Sequence, residues 1–172
     1  MASIHVAGGV GVAPTEMAAY DAALADTNLH DYNLVTVSSI VPADATVERV
    51  ERAPDLGPAG NRLTVVQAKR VAPPVESDAT TADDDAVDSQ PATIVAGLGW
   101  ATGPGPGLFY EVTGTDPASV RDRIREGLDA GGELREWELP DREIHVESTV
   151  PVADAYTCVV VLAAYGDSEP IV

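Results

Sequence analysis

Near the C-terminal end, the run Ala155-Tyr-Thr-Cys-Val-Val-Val-Leu-Ala-Ala-Tyr165 is apolar without alternation. That pattern fits a strand buried on both faces, so layers must be stacked above and below it. Candidates for those layers recur along the chain. Ser3–Ala7, Arg62–Val71, Ala92–Ala101, Leu108–Val112, Glu133–Leu139 and Glu143–Val150 are β-prone or alternating, with Gly103-Pro-Gly-Pro-Gly107 as the turn between two of them. Thr15 is placed to cap a helix from Glu16 to about Ala25, and Asp116 or Thr115 a helix starting at Pro117. On the second helix Val120, Ile124 and Leu128 form the buried edge, and Gly131 is expected to stop it. Gly8-Gly9-Val10-Gly11 reads as a turn, since it lacks the lysine and the spacing of a phosphate cradle. Two helices and about seven strands imply an α+β chain of sheets packed against helices, and 172 residues suit a single domain, 1–172.

The charge balance narrows the functional classes. Ten Lys plus Arg face 28 Asp plus Glu, a net charge of −18, which repels phosphate backbones and argues against a nucleic-acid partner. Lys69 stands alone beside nine arginines. Lysine scarcity with a carboxylate-rich surface is a halophile signature, because in molar salt the Debye length falls to about 3 Å and self-repulsion is screened. Residues 72–91 hold Pro73-Pro74 and the aspartates 78, 83, 84, 85 and 88, and are expected to form an acidic surface loop. Cys158 has no partner for a disulfide and reads as a buried core thiol. His5, His30 and His145 lack metal-ligand spacing, so no metal site is expected. No segment approaches the roughly 20 apolar residues of a membrane span, and no charged region precedes an apolar one at the N-terminus. A cytoplasmic protein with no membrane partner is the expectation.

The chemistry concentrates in Asn33-Leu-Val-Thr-Val-Ser-Ser-Ile-Val-Pro42. Its first half reads as a strand with Leu34, Val35 and Val37 held by the core, and Pro42 forces the chain out of the sheet. A serine pair before a proline ordinarily just closes a strand into a turn. A held backbone permits something else: the Ser39 hydroxyl can attack the carbonyl carbon of Ser38.

This run resembles the processing segment of the pyruvoyl-dependent arginine decarboxylases of archaea, whose pattern is Asn-Leu-x-x-x-Ser-Ser-Ile-x-Pro. Leu108-Phe-Tyr-Glu111, Arg135-Glu-Trp-Glu-Leu139, Ile144-His-Val-Glu-Ser-Thr-Val150 and Tyr20-Asp-Ala-Ala-Leu24 resemble further family segments, and the likeness runs over roughly residues 4 to 165. It implies an αββα sandwich with mostly antiparallel sheets. It also implies self-cleavage between Ser38 and Ser39 into residues 1–38 and 39–172, with a covalently bound pyruvoyl group derived from Ser39 as the cofactor. Glu111 is implied as the catalytic proton donor, Asn33 as catalytic, either donating to an oxyanion or positioning the serine loop, and Asp21 and Leu24 as substrate-binding residues. On the first helix Asp21 shares a stripe with Met17, Tyr20 and Leu24, where a carboxylate can pair with a guanidinium. Phe109, Tyr110 and Val112 flank Glu111, and facing inward it would be favoured in its protonated form.

Decarboxylation of an α-amino acid needs an electron sink conjugated to the α-carbon, which a ketone supplies without pyridoxal phosphate. The function implied is conversion of arginine to agmatine and carbon dioxide by a homotrimer with its sites between subunits. Two alternatives stay open: a decarboxylase of another basic amino acid, and an uncleaved acidic α/β domain that only binds.

Overall fold

A computed structural model describes residues 2–75 and 92–172. Strand β1 (Ala2–Ala13) leads into helix α1 (Glu16–Thr27), followed by the strands β2 (Asn33–Thr36), β3 (Ile40–Val41), β4 (Ala45–Arg49) and β5 (Arg62–Ala72). After residue 91 come β6 (Ile94–Thr102), β7 (Gly107–Gly114), helix α2 (Pro117–Arg135), β8 (Asp141–Thr149) and β9 (Tyr156–Tyr165). One sheet has the order β2-β5-β9-β1-β4 and the other β3-β7-β6-β8. The second sheet is antiparallel throughout, and in the first only the outer pairs β1–β4 and β2–β5 run parallel. No helix among the described residues is long and apolar enough to cross a membrane.

The period-2 geometry of β9 sets the layering. Cys158, Val160, Leu162 and Ala164 point to one side, where they pack with Ala19, Ala23 and Leu24 of α1. Val159, Val161 and Ala163 point to the other, against Ala96, Leu98, Trp100 and Phe109 of the second sheet. On that sheet's outer face Val95 and Val112 meet Val120, Ile124 and Leu128 of α2. The order is therefore helix, sheet, sheet, helix, an α+β sandwich of αββα type. Burial pushes the Cys158 thiol up to about 11, as befits an inert core group.

Several local expectations are corrected. Gly8, Gly9 and Gly11 lie inside β1, paired with Val161, Val160 and Cys158 of β9. They are not a turn: Gly9 and Gly11 form a flat track for α1, where a Cβ on Gly11 would stand 2.2 Å from the Ala19 carbonyl oxygen, while Gly8 faces the side chains of His145 and Glu147 on β8. Helix α1 consequently buries Ala19, Ala23, Leu24 and Thr27, while Met17 is 70% exposed. Close approach of the backbones selects the small Ala19 and Ala23 where α1 crosses β1, and Met17 turns outward. Helix α2 passes through Gly131 and ends at Glu136, whose left-handed φ of 54° lets its N–H cap the Glu133 carbonyl. The expected strand over Glu133–Leu139 is thus the last turn of α2 and its exit. The Pro, Gly and Ala-rich stretch after Pro42 contains β4, which the sequence did not announce. Ala72 still belongs to β5 and Val75 bridges to Ala153; the acidic cluster of the expected loop lies outside the described residues.

Candidate active site

Strand β2 belongs to the five-stranded sheet and β3 to the four-stranded one, so Val37-Ser38-Ser39 crosses from one sheet to the other. The expected single strand through the serines is instead two short ones. β2 is an edge strand in which Val35 is exposed and Leu34 half-buried, and Val37 beyond it is exposed as well. The crossing is pinned on both sides. The Val37 N–H donates to the Val65 carbonyl at 3.0 Å, and the Phe109 N–H to the Ser39 carbonyl at 2.9 Å. The Tyr165 hydroxyl donates to the Ile40 carbonyl at 2.8 Å. Between these anchors the Ile40 N–H donates to the Ser38 carbonyl at 2.8 Å. An i to i+2 bond of this kind is a γ-turn, here centred on Ser39; its φ is not positive, which makes the turn inverse.

At the turn, the Ser39 hydroxyl donates to the Glu111 carboxylate, its oxygen lying 2.9 Å from Oε1 and 2.8 Å from Oε2. One hydrogen is shared between two acceptors, so the carboxylate is placed to take it. Register brings the two residues together: β3 pairs with β7 through Ile40 and Leu108, which puts Glu111 of β7 beside the start of β3. The chain thus juxtaposes residues 72 positions apart.

A cavity of about 700 Å³ opens over this pair. Ser38, Ser39 and Ile40 form one side, Leu108 to Glu111 the floor, and Gly127, Ala130, Gly131, Leu134 and Arg135 of α2 the opposite wall. Gly127 is needed there, because a Cβ would fall 2.2 Å from the ring of Tyr110. Arg135 donates to the Gly131 carbonyl and lies 5.6 Å from the centre of the Trp137 ring. Glu111 is exposed to this cavity rather than sealed among Phe109, Tyr110 and Val112, so the inward, desolvated placement is not what the single chain adopts.

The other expected site residues lie elsewhere. Asn33 is exposed at the start of β2, and its Nδ2 donates to the Gly60 carbonyl at 2.6 Å, away from Ser39. Asp21 is exposed on α1 instead of sharing a buried stripe, and Leu24 is buried between α1 and the first sheet. None of the three lines the cavity. Sequence reasoning missed Tyr165, which reads only as the end of an apolar strand, and the α2 wall, whose Gly127 carries no local signal. Burial, with the Glu111 carboxylate adding to it, pushes the Tyr165 phenol up, so it stays a hydrogen-bond donor.

Comparisons with known proteins accord with this geometry. The family model described as pyruvoyl-dependent arginine decarboxylase (PvlArgDC) matches residues 3–170. A curated protein of that name from Halobacterium salinarum is 49% identical over 173 residues, covering 99% of this chain and 98% of the relative. Another, from Pyrococcus horikoshii, is 28% identical over 141 residues, covering 79% of this chain and 78% of the relative. With the second serine of the pair held against a glutamate and a match along nearly its whole length, the chain belongs to the pyruvoyl-dependent arginine decarboxylase family.

Proposed function

We propose that this protein cuts its own backbone between Ser38 and Ser39 and then decarboxylates L-arginine to agmatine and carbon dioxide. The observation that carries the reading is the Ser39 hydroxyl resting on the Glu111 carboxylate at a pinned turn beneath an open cavity. In the first step the Ser39 Oγ bonds to the Ser38 carbonyl carbon. Glu111 takes the hydroxyl proton and returns it to the departing amide nitrogen as the C–N bond breaks, which leaves an ester. Loss of the Ser39 α-proton and cleavage of its Cβ–Oγ bond then free Ser38 as a carboxylate. One water is consumed and ammonia leaves, converting residue 39 to a pyruvoyl group that caps Ile40.

The residues present fit that group. It needs no more room than Ser39, its amide carbonyl is the one the Phe109 N–H already holds, and the cavity in front can admit an amino acid. The ketone supplies the electron sink for decarboxylation. With the serine hydroxyl gone, the Glu111 carboxyl is free to deliver a proton to the substrate α-carbon. Asn33 serves as a positioning residue, its amide anchoring the entry of β2 on Gly60.

The cavity of one chain has a single carboxylate, Glu111, among its described lining. A substrate guanidinium calls for another, and Asp21, exposed on α1, is supplied to the site by a neighbouring copy in a homotrimer, whereas Leu24, buried in its own chain, supports α1 from beneath. Ser39→Ala tests the core of the reading. Intact mass should show wild type as two fragments with a blocked residue 39, and the variant as one unbroken chain releasing no carbon dioxide from carboxyl-labelled arginine. A cleaved or active Ser39→Ala protein would refute it; lysine and ornithine assayed in parallel should turn over more slowly than arginine.

A further inference from the structure

We infer that the backbone N–H of Ile40 is the oxyanion donor for self-cleavage, and that the Tyr165 hydroxyl is the positioning residue that holds it there. This rests on the self-processing reading above and names the groups that make the bond at Ser38 reactive.

When the Ser39 Oγ adds to the Ser38 carbonyl carbon, negative charge builds on the Ser38 oxygen. The donor already aimed at that oxygen is the Ile40 N–H, at 2.8 Å. Preorganised donors of this kind act where charge develops and need no reorganisation at the moment of reaction. The inverse γ-turn is only one of several conformers open to a free chain, so bonds that fix Ile40 from outside are what keep the N–H aimed. Two bonds do this, one on each flanking carbonyl: Phe109 N–H on that of Ser39 and Tyr165 hydroxyl on that of Ile40. The two holders brace each other. The rings of Phe109 and Tyr165 meet edge to face with centroids 5.9 Å apart. Phe109 belongs to β7 and Tyr165 to the end of β9, so one sheet grips residue 39 and the other residue 40. Of the two roles open to Asn33, donating to the oxyanion or positioning the serine loop, its bond to Gly60 favours the second.

The bookkeeping of the step is unchanged. The Ser39 Oγ–C bond forms, the Ser38–Ser39 C–N bond breaks, and the proton passes through Glu111 to the new amine. Ile40 and Tyr165 neither gain nor lose a proton.

The experiment follows cleavage of the full-length chain by intact mass. Three forms are compared: wild type, Tyr165→Phe, and a chain carrying the α-hydroxy acid analogue of isoleucine at position 40, which replaces the N–H by an ester oxygen. Tyr165→Phe keeps the ring contact and should cleave about tenfold more slowly, with unchanged melting temperature and, in the cleaved fraction, unchanged KM for arginine. The ester should cleave about a hundredfold more slowly, the scale of one lost oxyanion donor. Wild-type cleavage rates in both altered chains would overturn the inference, as would a slow Tyr165→Phe whose rate recovers on stabilising the fold while the ester cleaves normally. An uncleaved wild type would instead sink the self-processing reading itself.

Discussion

The Glu111 carboxylate touches the Ser39 hydroxyl, and the proposed mechanism gives it two duties, one in cleavage and one in decarboxylation, which substitution can separate. Glutamine keeps a carbonyl oxygen to accept the Ser39 hydroxyl hydrogen, at the place where both carboxylate oxygens now lie within 2.9 Å. It cannot carry a proton away or hand one to a carbanion. Glu111→Gln should therefore still cleave, at a reduced rate, while the cleaved enzyme turns over more than about a hundredfold more slowly, the range of general acid catalysis. Intact mass and agmatine formation, measured on one preparation, read the two duties independently. Full turnover in the glutamine variant would remove Glu111 from the decarboxylation step.

Among the elements, α1 and β1 show how closely composition follows packing. A helix can lie this near a strand only where neither surface carries bulk, which is why glycine 9 and 11 face Ala19 and Ala23. Adding one methyl at Gly11 would place it 2.3 Å from the Ala23 nitrogen as well as against the Ala19 carbonyl. Both obstacles are backbone, so the whole helix must shift. Gly11→Ala should cost about 2–3 kcal/mol, at the upper end for overpacking, measured by chemical or thermal unfolding at constant salt. No residue of α1 lines the serine cavity, so cleavage in the folded fraction should remain normal. An unchanged unfolding midpoint would mean that α1 does not ride on this track.

At the scale of the whole molecule, the proposed trimer follows from what one chain lacks. A cavity with Arg135 on its wall and one engaged glutamate is ill suited to a second guanidinium, whereas Asp21 is exposed on α1 and makes no ion pair among the described residues. Asp21→Asn should raise KM for arginine at least tenfold and leave cleavage untouched, because cleavage uses groups of a single chain. Light scattering should give the mass of three chain pairs. A monomer that still binds arginine normally would rule out the shared site.

Much of this architecture was legible in the residues themselves. The unalternating run at β9 required cover on both faces, and the apolar edge of α2 and the strands around it could be read from their periods. The serine pair and the Leu-Phe-Tyr-Glu segment were singled out by their family resemblance, not by local pattern, and the fold sets Ser39 against Glu111. What the sequence left undecided was every fact that depends on register between distant strands. The pairing of Ile40 with Leu108 brings Ser39 to Glu111, and the packing of the two sheets brings Tyr165 to Ile40 across 125 positions. Local pattern also misassigned the glycines of β1 and Gly131 of α2, because a glycine that permits close packing and one that breaks an element look alike until the neighbouring surface is in place. Propensity and periodicity act over a few residues, whereas a hydrogen bond between two sheets exists only after the core has fixed how those sheets meet.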